Sequence, residues 1–270
     1  VFMIKFAPAK INLGLHVLGK RSDGFHEIET GMLEIPLFDI IEITKSEEYE
    51  FIISGIYVGG SSMDNLCTKA FMLLKSHYGI SNVRIHLRKQ VPIGAGLGGG
   101  SSDAVTVLKM LVDLFELAIS EEDLEEISAD LGSDCAFFVK GDSQLAKGRG
   151  EVLSSITLKS IPKYLVLLNP GIHISTKEAY SNVTYLNDSA SLKEVLSMPA
   201  ENWENCLNND FEDSIFKNHP KIKELKIKLY EAGAVYAAMS GSGSSVFGLF
   251  NEPVVLSNDL NHCLVCSSYL

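Results

Sequence analysis

Apolar and polar side chains alternate near the start of the chain. From Lys10 to Leu18 the apolar residues fall on every second position, and this spacing predicts a β-strand. One face of the strand would carry Ile11, Leu13, Leu15 and Val17. The other face would carry Lys10, Asn12 and His16, and exposure to solvent is the simplest expectation for these polar side chains.

Strand and helix patterns then follow one another through the first half of the chain. Apolar runs predict strands over residues 40–44, 49–53 and 83–87. Apolar residues at helical spacing predict helices that begin after Asp64, near Ser101 and at Ser120. Gly132 is expected to end the last of these helices, because glycine readily adopts the left-handed conformation of a C-terminal cap.

The second half combines strands with shorter helices. Apolar runs predict strands over residues 164–169, 235–239 and 246–250, and a tip rich in glycine and serine joins the last two as a hairpin. Tyr180 would lie on a short helix, and Pro220 would begin a longer one. Residues 181–218 are polar and irregular, so only weak helical signals are found there.

The most distinctive stretch is Pro92–Ala104, in which five of the thirteen residues are glycine. Glycine lets the backbone approach a ligand closely, and a helix N-terminus favours an anion, so the stretch predicts a phosphate cradle. A plain flexible turn is one alternative. Gly94, Gly96 and Gly99 also match a dinucleotide fingerprint, although the segment Arg88–Pro92 lies between the preceding strand pattern and these glycines. No lysine follows the last glycine, which excludes a Walker A loop.

Composition narrows the possible function classes. The 270 residues are 46% hydrophobic, enough to bury the core of one large domain or two ordinary ones. The net charge of −11 and the lack of a basic stripe argue against a nucleic-acid partner, and no apolar run reaches the length of a membrane span. Five scattered cysteines favour a cytoplasmic location. Cys263 and Cys266 lack a second pair of ligands, so no zinc site is predicted.

Three stretches together resemble the GHMP small-molecule kinases, named for galactokinase, homoserine kinase, mevalonate kinase and phosphomevalonate kinase. Pro92–Ala104 resembles their phosphate loop, Ala9–Leu13 their first motif and Ser240–Phe247 their third. Each stretch alone would be modest evidence, but the three in this order identify the chain as similar to that family. The resemblance extends from about Lys5 to Phe250.

The resemblance implies an α+β fold in two domains, with the active site in the cleft between them. Residues 1–157 would form an ATP-binding domain similar to domain 2 of ribosomal protein S5. Residues 158–270 would form a smaller α/β sandwich. The implied ATP-binding residues are Pro92, Ile93, Gly94, Ala95, Gly96, Leu97, Gly98, Gly99, Gly100, Ser101 and Ser102 of the loop, together with Asn65 and Lys89.

The implied reaction transfers the γ-phosphoryl group of ATP to an alcohol, a reaction that depends mainly on positioning and charge stabilisation. Asp134 would orient the hydroxyl and accept its proton. Lys10 would keep Asp134 ionised and stabilise the transferring group. Mg²⁺ is expected with ATP, and Ser101 or Ser102 is its candidate ligand; no other protein ligand is assigned.

Further motifs, Pro8–Leu13, Arg21–His26 and Leu131–Asp134, narrow the resemblance to a member whose small-molecule substrate is a cytidine diphosphate-linked methylerythritol. The implied substrate-binding residues are Asn12, Phe25, His26, Thr176 and Tyr180. The two aromatic rings would enclose the cytosine, and His26 would recognise the edge of the base. No obligate protein partner is predicted. The alternatives are another GHMP kinase, similar to mevalonate or homoserine kinase, or a nucleotide-binding module without catalysis.

Overall fold

The computed structural model describes residues 2–181, 183, 191–204 and 206–270, which form two compact units. The first unit comprises Val1–Ala9, Leu37–Ile93 and Gly98–Gly141. The second comprises Lys10–Pro36, Gly94–Leu97 and Asp142–Leu270. Parts of the predicted irregular stretch 181–218, namely residues 182, 184–190 and 205, lie outside the described residues. The domain boundary expected near residue 157 remains a prediction.

Two long strands, β1 (Phe2–Lys20) and β2 (His26–Lys45), pair with each other, and each contributes residues to both units. In the first unit, the end of β2 pairs antiparallel with β4 (Val83–Lys89). β3 (Glu50–Gly55) pairs parallel with β4, and the intervening helix α1 (Leu66–Tyr78) supplies the crossover that parallel strands require. The strands predicted over 40–44, 49–53 and 83–87 are therefore confirmed.

The helices of the first unit follow the predicted apolar spacing. After the short 3₁₀ helix Ser62–Asp64, α1 packs against α2 (Gly99–Phe115), and then come α3 (Glu121–Ala129) and α4 (Cys135–Lys140). Ser120 begins α3 as predicted, because its hydroxyl and the Asp123 carboxylate form a reciprocal capping box. The prediction for Gly132 was wrong, since α3 already ends at Ala129 and Asp130 occupies its C-cap.

In the second unit, the start of β2 pairs antiparallel with β5 (Ser143–Gly148), which pairs with β6 (Val152–Ser155). A separate antiparallel sheet has the strand order β10-β7-β9-β8. Its members are β7 (Tyr164–Leu168), β8 (Tyr236–Met239), β9 (Val246–Phe250) and β10 (Leu264–Tyr269). The predicted hairpin of β8 and β9 is confirmed.

Helices cover this second sheet with apolar side chains. Several helices contribute to one core cluster with this sheet, namely α5 (Thr176–Tyr180), α7 (Glu212–Asn218), α8 (Pro220–Glu231) and α9 (Asn258–Asn261). The same unit also contains α6 (Leu192–Leu196) and a 3₁₀ turn at Ala200–Asn202. α8 begins at Pro220 as predicted, and its buried residues Ile222, Leu225 and Leu229 belong to the same core cluster as Phe250. Among the described residues, every helix is too short or too polar to cross a bilayer.

Candidate functional site

A buried polar network connects β1 to β2 within the second unit. Lys10 and Asn12 are two residues apart, so they share one face of β1. Lys10 Nζ donates to Asn12 Oδ1 at 2.6 Å, and Asn12 Nδ2 donates to Thr30 Oγ1 at 3.0 Å. The three residues are 4%, 3% and 0% exposed. The expectation that this face of β1 is solvated was therefore wrong, because both faces of the strand are buried here.

The first half of the glycine-rich loop packs against the tip of the β8–β9 hairpin. Ser240 Oγ donates to the carbonyl of Gly96 at 2.8 Å and accepts the backbone N–H of Asn12 at 3.1 Å. The N–H of Lys10 donates to the carbonyl of Leu97 at 3.0 Å. Gly96 has a φ of +78°, and a Cβ there would lie 1.9 Å from the carbonyl oxygen of Ser240. The loop is thus held beside Lys10 and Asn12, and glycine is required at residue 96.

The second half of the loop belongs to the first unit and leads into α2. This helix begins at Gly99, after Gly98 in a left-handed conformation, so the predicted start near Ser101 was two residues late. The N–H of Ser102 already bonds to the carbonyl of Gly98, at 3.0 Å, whereas N–H groups before it in the first turn lack intrahelical partners. The buried Ser102 Oγ has no hydrogen-bond partner among the described residues.

Beneath this helix N-terminus lies a buried ionic cluster. Lys89 Nζ is 2.5 Å from Asp39 and 2.7 Å from Asp103, and the lysine is 4% exposed. Asp39 also accepts the N–H of Val91 at 2.9 Å, and a Cβ on Gly99 would lie 2.9 Å from Lys89 Nζ. Burial raises the pKa of Asp103 to about 7, although Lys89 opposes the shift. The cluster ties the end of β4 to the first turn of α2; a contact of Lys89 with ATP remains a prediction.

Asp134 and Asn65 both precede helices of the first unit. Asp134 is half-buried at the N-cap of α4, but its side chain makes no capping hydrogen bond, so capping does not account for this carboxylate. Asn65 does cap its helix, because Oδ1 accepts the N–H of Cys67 at 2.9 Å. Its amide nitrogen is not used in that cap. The catalytic role of Asp134 and the ATP-binding role of Asn65 remain predictions.

The predicted base-binding residues lie in the second unit. His26 and Tyr180 stack with ring centroids 4.4 Å apart and planes 17° apart. Phe25 is 55% exposed, and the guanidinium of Arg149 lies 5.0 Å from the centre of its ring. Thr176 is exposed one helical turn before Tyr180 on α5, so the two side chains share a face. Burial, with a smaller contribution from Lys20, lowers the pKa of His26, which favours the neutral ring.

The structure adds residues that the sequence patterns did not identify. Thr30 lies in a part of β2 that was not among the predicted strands. Ser240 was predicted within the third family motif, but its contacts with Gly96 and Asn12 were not. Asn209 holds that tip, because its Nδ2 donates to the carbonyls of Met239 and Gly241, each at 2.8 Å. These roles depend on contacts between segments far apart in sequence. Asn12, which was predicted, was the signal that could have directed attention to its partners.

Metal binding would depend on more than the protein's carboxylates. In the part of the chain that the structure describes, no group of three or more His, Cys, Asp or Glu side chains is arranged to hold a metal ion. Mg²⁺ commonly takes few protein ligands and binds largely through substrate phosphates and water. The unpartnered Oγ of Ser102 at the N-terminus of α2 fits this mode of binding.

Comparison with known proteins gives consistent matches over most of the chain. Residues 65–142 match the model of the GHMP kinases N terminal domain, and residues 186–260 match that of the GHMP kinases C terminal region. The 4-diphosphocytidyl-2-C-methyl-D-erythritol kinase of Azobacteroides pseudotrichonymphae is 50% identical over 253 residues. That alignment covers 93% of this chain and 94% of the relative.

Solved structures agree with the sequence comparison. A crystal structure of 4-(cytidine 5'-diphospho)-2C-methyl-D-erythritol kinase superposes with a TM-score of 0.79 and 34% identity, covering 92% of this chain and 90% of that one. Homoserine kinase from Cytophaga hutchinsonii superposes with a TM-score of 0.68 at 17% identity, covering 97% and 87%. The second match shows a shared fold only.

Proposed function

This chain belongs to the GHMP kinase family, and we propose that it transfers the γ-phosphoryl group of ATP to the 2-hydroxyl of 4-(cytidine 5'-diphospho)-2-C-methyl-D-erythritol, a step of non-mevalonate isoprenoid precursor synthesis. The structural observation that carries the proposal is the buried Lys10–Asn12 pair beside the glycine-rich loop. The substrate is supported by the 50% identity to a relative named for this activity.

The glycine-rich loop would bind the phosphates of ATP. N–H groups in the first turn of α2 have no intrahelical partner, and the helix dipole places partial positive charge at the same end. Lys10 would add a full positive charge at the transferring phosphoryl group. Because Lys10 is 4% exposed, its interaction with an anion would be weakly screened by water.

Asp134 would orient the acceptor hydroxyl and receive its proton. A carboxylate is a far weaker base than an alkoxide, so it cannot remove the proton of a free hydroxyl. The proton would therefore move as the new phosphorus–oxygen bond forms and the hydroxyl becomes acidic. Asp134 is half-buried and lies directly before α4.

Mg²⁺ would accompany ATP, with Ser101 or Ser102 as the candidate protein ligand. Ser102 fits better, since its Oγ is buried without a partner among the described residues. The ion would neutralise charge on the phosphates during transfer. The protein would fix the position of the start of α2, which the ion pairs of Lys89 connect to β4.

The cytidine end of the substrate would bind near the turn between β1 and β2. Phe25 and Tyr180 would enclose the cytosine. Phe25 is exposed, one face of Tyr180 is already stacked on His26, and Thr176 lies one turn before Tyr180. A neutral His26 can both donate and accept a hydrogen bond, as recognition of a base edge requires. A substrate without a base would have no use for this group of residues.

The proposal is tested by measuring ADP release from ATP with a panel of alcohols. We expect turnover with the cytidyl substrate and none with mevalonate, homoserine or galactose. Turnover with one of those three instead would retain the kinase chemistry but overturn the substrate. Binding of NAD without turnover of any alcohol would favour the dinucleotide-binding alternative.

A further inference from the structure

The carboxamide of Asn12 presents its oxygen to Lys10 and its nitrogen to Thr30. An ammonium group can only donate hydrogen bonds, so the end of the amide that faces Lys10 must be the acceptor. A reversed amide would set two donors against each other in a site where every participant is buried. The orientation of Asn12 therefore determines whether its hydrogen bond with Lys10 can form.

Thr30 has a single hydroxyl proton, and the surrounding carbonyls determine where it points. Oγ1 of Thr30 lies 2.6 Å from the carbonyl oxygen of Gly14 and 3.3 Å from that of Gly31. Both carbonyl oxygens can only accept hydrogen bonds, so the hydroxyl of Thr30 donates its proton to them. The hydroxyl oxygen can then only accept from Asn12, which places the amide nitrogen on the Thr30 side.

The backbone around Gly14 maintains this arrangement. Gly14 has a φ of +70°, and a Cβ there would lie 2.5 Å from Leu207 Cδ1. Residue 14 is therefore restricted to glycine mainly by its backbone conformation, and a larger residue would also displace the Leu207 side chain. Its carbonyl is consequently a fixed acceptor for Thr30, in a region where no part of Thr30 is exposed to water.

We infer that Thr30 is a positioning residue of the phosphoryl-transfer site, which acts through the Asn12 carboxamide to fix the ammonium group of Lys10. The expected effect on kcat rests on the proposed function. The hydrogen bonds from Asn12 to Thr30 and from Lys10 to Asn12 are present in the folded protein without substrate. Thr30 touches neither ATP nor the acceptor in this role.

The test replaces Thr30 by valine, which keeps the shape and removes the hydroxyl. We expect Thr30→Val to lower kcat by about 10- to 100-fold, the range associated with small misplacements of a catalytic group, with KM for ATP nearly unchanged. Thr30→Ser retains the hydroxyl and should restore kcat to within about threefold of the wild type.

A matched control is Thr68→Val. Thr68 is also buried, and its hydroxyl accepts a bond from Tyr49 at 2.7 Å rather than from a predicted site residue. The Thr68→Val variant should have a lower melting temperature, as Thr30→Val should, but an unchanged kcat. In an Asn12→Ala background, Thr30→Val should reduce kcat by less than about twofold further, because its route to Lys10 is already lost.

A second measurement requires no substrate. NMR should show slow solvent exchange of the Asn12 carboxamide protons in the wild type and Thr68→Val, and faster exchange in Thr30→Val. Equal exchange in all three proteins would overturn the inference, as would equal kcat for the two valine variants or an undiminished effect in the Asn12→Ala background. If the wild type transfers no phosphoryl group, the proposed function is wrong and the exchange rates alone decide the role of Thr30.

Discussion

Replacement of Gly96 by alanine gives a quantitative test of how the glycine-rich loop is held. The new Cβ would lie 1.9 Å from the carbonyl oxygen of Ser240, on a backbone with a φ of +78°. The left-handed conformation costs an alanine about 1–2 kcal/mol. Moving the loop away would break the 2.8 Å bond from Ser240 to Gly96, which contributes about 1 kcal/mol more.

The free energy of unfolding should therefore fall by about 2–3 kcal/mol, or roughly 4–12 °C in melting temperature for a chain of this size. Thermal and urea unfolding of purified Gly96→Ala measure this directly. Gly100→Ala is the matched control in the same loop, because its Cβ would meet only Leu66 Cδ1, at an ordinary 3.7 Å. Gly100 is helical, so alanine there should keep or slightly raise stability. Equal stability of Gly96→Ala and the wild type would refute the packing described for the loop.

Three further predictions concern buried charge, protonation and catalysis. Lys89→Met leaves two buried carboxylates uncompensated and should lower the free energy of unfolding in urea by about 3–5 kcal/mol. Lys228→Met, which removes a surface ion pair, is the control. Equal urea-unfolding curves for the two variants would contradict the stabilising role of Lys89. The lowered pKa of His26 means that the unfolded chain binds more protons near pH 6.5, so stability should fall as pH drops. Between about pH 8 and about pH 5, the melting temperature should fall less for His26→Gln than for the wild type. The same dependence of melting temperature on pH in both proteins would contradict this role of His26. Asp134→Asn should lower kcat at least about 100-fold with calorimetric ATP affinity nearly unchanged, and a kcat close to the wild type would remove its assigned role.

Local sequence patterns were sufficient to predict most elements of the fold. The 3.6-residue spacing located α1 and α8, and Ser120 located the start of α3, because these signals arise within a few residues of the element. The start of α2 was misplaced because Gly98 adopts a left-handed conformation that serves as the N-cap, whereas the sequence offered two serines that usually do so. α7 was not predicted, since its seven residues lie in a polar stretch.

The candidate site was predictable in its residue types but not in its connections. Lys10 and Asn12 stood on the polar face of an alternating strand, and nothing local distinguishes that face from a solvated one. The structure buries it because β1 is covered on both faces. The bonds from Ser240 to Gly96 and from Asn12 to Thr30 join residues 144 and 18 positions apart, so no window of sequence contains both partners.

The most direct test of the central claim is a proton-coupled ³¹P NMR spectrum of the reaction of the wild-type protein with ATP, Mg²⁺ and 4-(cytidine 5'-diphospho)-2-C-methyl-D-erythritol. The carbon that bears the 2-hydroxyl carries no hydrogen, so its phosphate ester should appear as a singlet, formed in equal amount with ADP. A doublet or triplet would place the phosphoryl group on a secondary or primary hydroxyl. Such a multiplet, or ADP without a new ester, would contradict the account.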